Sequence, residues 1–372
     1  MHKKKKEHKK RGIGWTILRI FLGAAGILVL VLVVYIGYLF ASYHRIEDNL
    51  ELEVEKSAEG NVDETLKTGT EYSALTYNIG FGAYTPDFSF FMDGGKSSWA
   101  KSKESVLETV SGAGKLAASY DPDFALIQEV DLNSTRSYHV NEYELLKESF
   151  PEYDSVFAQN YDSAFLFYPF TQPHGRSRSG LALFSRYPVT SALRRSFPVS
   201  TSFTKFFDLD RCYSISRIPV ENGKELVIFE LHMSAYGNSD AVREGQISML
   251  CNDMKAEYEA GNYVLCGGDF NHDLKASEDD SIEHESWAYP FPREDLPEHF
   301  TFCLDLLSEE EKDDLWDSAR NADMEYVPGV TYTVTLDGFI ISDNLECLSY
   351  ENINSGYSYS DHDPVYLKFK LK

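Results

Sequence analysis

Two short polar stretches carry an unusual density of reactive side chains. Gly267-Gly268-Asp269-Phe270-Asn271 supplies a carboxylate and a carboxamide, and Ser360-Asp361-His362-Asp363-Pro364 supplies carboxylates and an imidazole. Each adjoins an apolar, strand-like run, Tyr263–Cys266 before the first and Val365–Phe369 after the second. Gly-Asp-Asn clusters are also ordinary turn chemistry. Three further runs, however, end the same way: Ala74–Gly80 closes around Asn78, Phe124–Val130 delivers Glu129, and Leu226–His232 delivers His232. Strands that present polar groups at their ends are how α/β enzymes assemble metal and phosphate sites. Carboxylates such as Glu129 are hard oxygen ligands suited to Mg²⁺ or Mn²⁺. An imidazole titrating near ~6.5 suits proton transfer at neutral pH. The chemistry this inventory fits is hydrolysis of a phosphate ester, an anionic and poor electrophile whose charge must be neutralised and whose nucleophile must be aligned.

In this order the five strand ends resemble the endonuclease/exonuclease/phosphatase superfamily, from Glu71 to Lys372. The segment Ser179-Gly180-Leu181-Ala182-Leu183-Phe184-Ser185-Arg186-Tyr187-Pro188-Val189 adds to the likeness. The resemblance implies an α/β fold, a four-layer α/β/β/α sandwich with two mixed sheets face to face and the site at one rim. It implies Glu129 as the main metal carboxylate, Asn78 beside it on the metal or a phosphate oxygen, and Asp361 as a further metal-side or water-side carboxylate. His362 takes the place of the general base, with Asp337, in the strand-like Leu336–Ile340, as the carboxylate that fixes its tautomer. Asp269 would orient the water or hold a second metal position, and Asn271 would donate to the phosphoryl oxygen. These two are spaced so that an extended backbone points them the same way. His232 matches the histidine of the deoxyribonuclease-like and sphingomyelinase-like branches. Arg178, just before the Ser179–Gly180 strand, is either a phosphate ligand or a surface arginine.

The elements that must position these groups alternate between strand and helix patterns. Val106, Val110, Ala113 and Ala117 fall at helical spacing before the Glu129 strand, and Ile247, Leu250, Met254 and Tyr258 do so before the Asp269 strand, with Asp240 as an N-cap. Ser277–Asp314 is acidic and carries prolines, which reads as an inserted surface loop followed by a short helix near Ser308–Ala319. The five cysteines show no metal-ligand spacing and read as free thiols.

Ahead of that domain, residues 1–19 are strongly basic, and residues 20–40 are an uncharged apolar run long enough to span a bilayer core of ~30 Å. Ala41-Ser42-Tyr43 is a poor cleavage site, so the run reads as an uncleaved signal anchor with the basic tail cytoplasmic and the rest outside. Residues 41–70 read as an acidic stalk, and residues 71–372 as the catalytic domain. The formal charge is −24, and because the first 20 residues contribute +7 the remaining 352 carry −31. Such a surface repels long polyanions. The only local basic cluster near the motifs is Arg176, Arg178, Arg186, Arg194, Arg195 and Lys205.

The composition and motifs therefore point to a membrane-anchored, metal-dependent phosphoester hydrolase acting on a lipid or small extracytoplasmic phosphodiester, without an obligate protein partner. The alternatives are a surface nuclease and a catalytically silent binding domain. Two aromatic segments, Phe165–Phe170 and Phe203–Phe207, flank the Ser179–Val189 motif. They are core strands or, if exposed, a patch suited to a lipid surface.

Overall fold

The computed structural model describes residues 12–57, 65–200, 209–234, 240–276 and 288–372. Most of the basic tail, residues 1–11, and the aromatic segment Phe203–Phe207 lie outside the described residues. The chain divides into two units, Met1–His44 and Arg45–Lys372. In the first, α1 (Ile13–Ser42) has a mean hydropathy of 2.8 over its most apolar window and is long enough to cross a membrane. It extends beyond the apolar run at both ends.

In the second unit the chain runs through β1 (Leu50–Leu52), β2 (Val54–Glu55), β3 (Glu71–Asn78), α2 (Lys103–Ser119), β4 (Phe124–Asp131) and α3 (Glu142–Lys147). It continues with β5 (Asp154–Asp162), β6 (Arg178–Ser185), β7 (Ser191–Ser196), β8 (Cys212–Pro219), β9 (Glu225–His232) and α4 (Asp240–Glu259). Then follow β10 (Tyr263–Asp269), β11 (Phe300–Phe302), α5 (Glu309–Asp314), β12 (Ala319–Arg320) and β13 (Thr333–Val334). The last strands are β14 (Asp337–Ser342), β15 (Leu345–Asn352) and β16 (Val365–Leu371). Two seven-stranded mixed sheets result, in the orders β1-β7-β8-β9-β10-β14-β11 and β15-β16-β3-β4-β6-β5-β2.

The sheets face each other, and their central strands are buried on both sides. In β4, Phe124 and Leu126 enter the core between the sheets, while Ala125 and Ile127 join a second core under α2 and α3. In β10, Tyr263 and Leu265 face the central core, and Val264 and Cys266 face a third core under α4. This is why the strands read as continuous apolar runs instead of alternating ones. The order helix, sheet, sheet, helix is the four-layer sandwich. The α2 stripe Val106, Val110, Ala113 and Ala117 is fully buried, and Ser102 caps the helix by accepting from the Ser105 N–H at 3.1 Å. In α4, Ile247, Leu250 and Met254 are buried while Tyr258 lies at the edge. The side chain of Asp240, the expected cap of α4, lies outside the described residues.

Two expectations need correction. Part of the acidic stalk belongs to the domain: β1 pairs with β7 and β2 with β5, each at a sheet edge, and Leu66 is fully buried. A buried arginine holds this segment. Arg194 donates to the Glu47 carbonyl at 3.0 Å, the Gln159 carbonyl at 2.7 Å and the Asp210 carbonyl at 2.8 Å. Edge strands need few apolar side chains, so a Glu-rich stretch suffices. Ser277–Asp314 is likewise more than a surface loop. Residues 277–287 lie outside the described residues, but Phe300 and Phe302 form an edge strand on β14 and are buried. The short helix after it is α5, closed by a Ser308/Glu311 capping box.

Candidate active site

One sheet contributes the parallel pair β3–β4 joined through α2, the other the parallel pair β9–β10 joined through α4. Each crossover returns the chain in the same direction, so the C-terminal ends of all four strands lie at one rim. At or near those ends stand Asn78, Glu129, His232 and Asp269. β14 runs antiparallel to β10 with Asp337 opposite Asp269, so its first residue reaches the same rim. β16 runs antiparallel to β3, so the loop before it brings Asp361 and His362 there too.

Local backbone then aims each group. Between β4 and β6 the register shifts after Ile127, and within that bulge Glu129 has φ of 56°. Bulges beside sites re-aim side chains in this way. Gly268 must be glycine: at φ of 147° an added Cβ would lie 2.1 Å from the Leu231 carbonyl oxygen of β9. That contact sets Asp269 directly beside His232, its register partner. Gly80, at φ of 52°, leaves no room for a Cβ against Tyr84, Ser360 and Asp361. Asp269 and Asn271 do converge, but not through extended backbone. Asn271 is left-handed (φ 50°) and its N–H donates to Asp269 Oδ1 at 2.8 Å, an Asx-type turn.

The assembled groups are hydrogen-bonded as a network. His362 Nδ1 lies 2.7 Å from Asp337 Oδ2, so that nitrogen carries the proton and Nε2 is left for the cleft, 3.8 Å from Asp269 Oδ2. Asp337 is wholly buried and also accepts from Ser318 Oγ at 2.7 Å. Asn78 Nδ2 donates to Asp269 Oδ2 at 3.0 Å and to Glu129 Oε1 at 3.4 Å. His232 Nε2 is 3.4 Å from Asp269 Oδ2, and its Nδ1 has no partner among the described residues. Asn271 Nδ2 donates one proton to the Met233 carbonyl at 3.0 Å and retains a second. Asp363 instead accepts from Trp316 Nε1 at 2.9 Å and from the Tyr357 N–H at 3.2 Å, which anchors the loop carrying Asp361 and His362.

Crowded carboxylates dominate the electrostatics. Burial, opposed by His362 and reinforced by Asp337, pushes Asp269 up to about 7. Burial likewise pushes Asp361 up to about 6, with His362 and Arg320 opposing and Glu129 adding to the rise. Burial works against a charged His362, but Asp337 and then Asp269 outweigh it and hold its pKa well above the ordinary value. His232 is driven well below the ordinary value by burial and then by Arg211, so it stays neutral. Carboxylates raised this far by burial and by one another form a site that a cation would relax. Glu129 and Asp361 offer carboxylate oxygens of the kind that fit Mg²⁺ or Mn²⁺, while Asn78 turns its amide nitrogen toward Glu129 and its oxygen accepts from the Gly80 N–H at 3.0 Å. Asp269, Asp337 and His362 also present ligand atoms within 4.8 Å of one another, close enough for a metal. His362 Nδ1 and Asp337 Oδ2 are, however, spent on each other, which leaves that trio short of two of its ligand atoms.

All these groups except Asp337 line a cleft of about 500 Å³. A larger groove beside α4, about 760 Å³, contains none of them. Arg178 does not line the cleft; its Nη2 donates to Gln159 Oε1 at 3.3 Å. The sequence reading missed three arginines that do: Arg136, Arg211 and Arg320. Arg136 is paired with Asp131 at 2.9 Å and covers the Phe81 ring at 3.8 Å, while Arg320 donates to the Tyr84 and Thr85 carbonyls. Arg211 is buried, yet its Nε and Nη1 have no partner among the described residues. A basic residue just ahead of β8 was the only sequence signal for it. The expected basic cluster is spent structurally: Arg176 pairs with Asp162, Arg186 with Asp121, Arg195 with Asp253, and Arg194 holds the domain's first strands. Lys205 lies outside the described residues.

A sequence profile described as the Endonuclease/Exonuclease/phosphatase family matches residues 75–306. No curated protein matches the chain. Among solved structures, an endonuclease/exonuclease/phosphatase from Beutenbergia cavernae is similar with a TM-score of 0.53 and 12% identity, over 81% of this chain and 72% of that one. An endonuclease/exonuclease/phosphatase from Bacteroides vulgatus gives 0.52 and 15%, over 82% and 100%. TDP2 from D. rerio, solved with a single-strand DNA product, gives 0.53 and 14%, over 81% and 100%. At these identities the likeness is one of fold.

Proposed function

The chain belongs to the endonuclease/exonuclease/phosphatase family, and from that premise we propose that it is a membrane-anchored, divalent-metal-dependent phosphodiesterase acting on a lipid or small extracytoplasmic phosphodiester. Members of this family are generally phosphoester hydrolases that use divalent metals. The observation that carries the reading is the buried Asp337–His362 pair, with Nε2 directed at the cleft beside Asp269.

Glu129 and Asp361 would hold Mg²⁺ or Mn²⁺, with Asn78 beside them toward a phosphate oxygen; the metal when bound would neutralise charge on the phosphate and polarise its ester bond. In its neutral form His362 takes the proton from the attacking water on Nε2, while Asp337 steadies the resulting imidazolium. Asp269 orients that water. The second N–H of Asn271, neutral His232 and the unpartnered N–H groups of Arg211 face the phosphoryl oxygens, where charge builds as the ester oxygen departs. The basic tail before α1 supports an orientation with the N-terminus in the cytoplasm and the catalytic unit outside.

The test is turnover of a soluble chromogenic diester by the purified full-length protein. Activity is expected to vanish with chelator and return with Mg²⁺ or Mn²⁺, and His362→Ala is expected to lower kcat at least ~100-fold with the fold intact. Near-normal turnover by His362→Ala refutes the mechanism. Rapid cleavage of duplex DNA with no turnover of small or lipid diesters makes the protein a nuclease.

A further inference from the structure

Three features of the catalytic unit meet at the same rim. The first is aromatic. Tyr161, at the end of β5, lines the cleft, and the loop after it returns to β6 through His174, which also lines the cleft. Within that loop Tyr168 and Phe170 are 64% and 84% exposed, and their rings pack edge to face at 5.9 Å. Phe91 connects them to the cleft wall, its ring 5.8 Å from Tyr168 and 5.7 Å from His174. Two adjoining aromatic rings this open to water are rare unless they contact something apolar.

The second feature is where the chain joins the unit. Arg45, its first residue, is ion-paired with Asp210 at 2.6 Å, and the residue after Asp210, Arg211, lines the cleft with two unpartnered N–H groups. Arg194 fixes residues 46–47 to the same corner. The third is chain length. α1 ends at Ser42, so only Tyr43 and His44 lie between an apolar, membrane-length helix and the rim. Three Cα steps span at most ~10 Å. The same chain thus carries a membrane-length helix three residues ahead of Arg45.

We propose that this rim is a lipid-docking face: Tyr168 and Phe170 insert into the bilayer that holds α1, and the cleft takes phosphodiester head groups from that same leaflet. The proposal rests on the phosphodiesterase reading and narrows its substrate to lipid. The charge balance agrees, because a unit this acidic gains nothing from an anionic surface and must dock by apolar insertion. Amphipathic Tyr and exposed Phe are the side chains that do so at a bilayer interface.

The experiment uses full-length protein in proteoliposomes of phosphatidylcholine with phosphatidylglycerol and sphingomyelin. An environment-sensitive fluorophore is placed at Phe170→Cys and, for reference, at Asn222→Cys in the β8–β9 turn at the opposite end of the strands. The label at 170 is expected to shift blue and be quenched by spin-labelled lipid, and the label at 222 to do neither. Equal solvent exposure at both positions overturns docking. In the same vesicles, Tyr168→Ser/Phe170→Ser is expected to lose at least tenfold in lipid head-group release while keeping its rate on a soluble diester within twofold. No lipid hydrolysis by wild type, an unchanged lipid rate, or equal loss on both substrates overturns the proposal. A wild-type protein inactive on the soluble diester instead defeats the phosphodiesterase reading, and the fluorophore result still decides docking.

Discussion

Replacing Asp337 by Asn removes one charge from the site and keeps the shape. Asp337 Oδ2 accepts from both His362 Nδ1 and Ser318 Oγ at 2.7 Å. An Asn has two ways to settle there. With its oxygen toward His362, the bond survives but loses its ionic character, and the imidazolium formed during proton transfer loses its counter-charge. With its amide nitrogen toward His362, it donates to Nδ1 and forces the proton onto Nε2, so no lone pair remains for the water. The first outcome costs roughly the ~10²-fold of an impaired base, the second about the ~10⁴-fold of a wrong tautomer. Between them kcat should fall ~10²–10⁴-fold, or ~2.7–5.5 kcal/mol in barrier. Stability should hold, because Ser318 Oγ still accepts from the Leu336 and Asp337 N–H groups at 3.0 Å and repulsion on Asp269 is relieved. The assay is saturation kinetics on a soluble diester with Mg²⁺, with thermal unfolding alongside. An Asp337→Asn enzyme with kcat within fivefold of wild type refutes the pairing, and a loss accompanied by unfolding refutes the claim that the carboxylate acts only on His362.

Two further outcomes follow from buried groups. Glu230, 1% exposed between the sheets, is pushed well above the ordinary carboxyl value by burial, with Gln128 and backbone N–H groups opposing too weakly. A folded pKa above the unfolded value of ~4.3 means the stability it contributes is complete below that pH and declines by ~1.4 kcal/mol per unit as pH rises. Urea unfolding of Glu230→Gln should therefore show an advantage over wild type that widens as pH rises above ~5; a constant gap contradicts a protonated Glu230. Arg211→Gln should lower kcat/KM ~10–100-fold, the scale of a charged hydrogen bond to phosphate, and Arg178→Gln should stay within about twofold. The opposite ranking would contradict the placement of the two arginines.

Residues that carry chemistry at strand ends were legible because two local rules coincide there: an apolar run buried on both faces, then a polar residue where pairing stops. That holds for Asn78, His232 and Asp269, and for Asp337 at a strand's start. The domain's first strands carry a signal of a different period, but the segment reads as a stalk. Leu50-Glu51-Leu52-Glu53-Val54-Glu55 alternates strictly, the pattern of a half-buried strand, and its acidic composition masked the signal. Arg211 had no such signal.

Glu129 shows where sequence reasoning reaches its limit in this site. The run Phe124–Val130 predicts a strand that carries a carboxylate to the rim, and β4 does so. A regular strand would continue alternating, and Glu129 would then share the face of Ala125 and Ile127, under α2 and α3, rather than open toward Asn78. What turns it is the bulge, in which Gln128 Nε2 donates to the Leu126 carbonyl at 3.0 Å and Glu129 takes positive φ. A non-glycine residue in that conformation costs ~1–3 kcal/mol unless its surroundings enforce it. Nothing in the letters around Glu129 encodes that cost being met. It is met by pairing on both sides: β3 holds the strand in register through Asn78 and Gln128, and β6 resumes its ladder at Val130. The aim of Glu129 is thus a property of three strands, two of them distant in sequence, and the arrangement at the rim depends on a sheet being complete before the site exists.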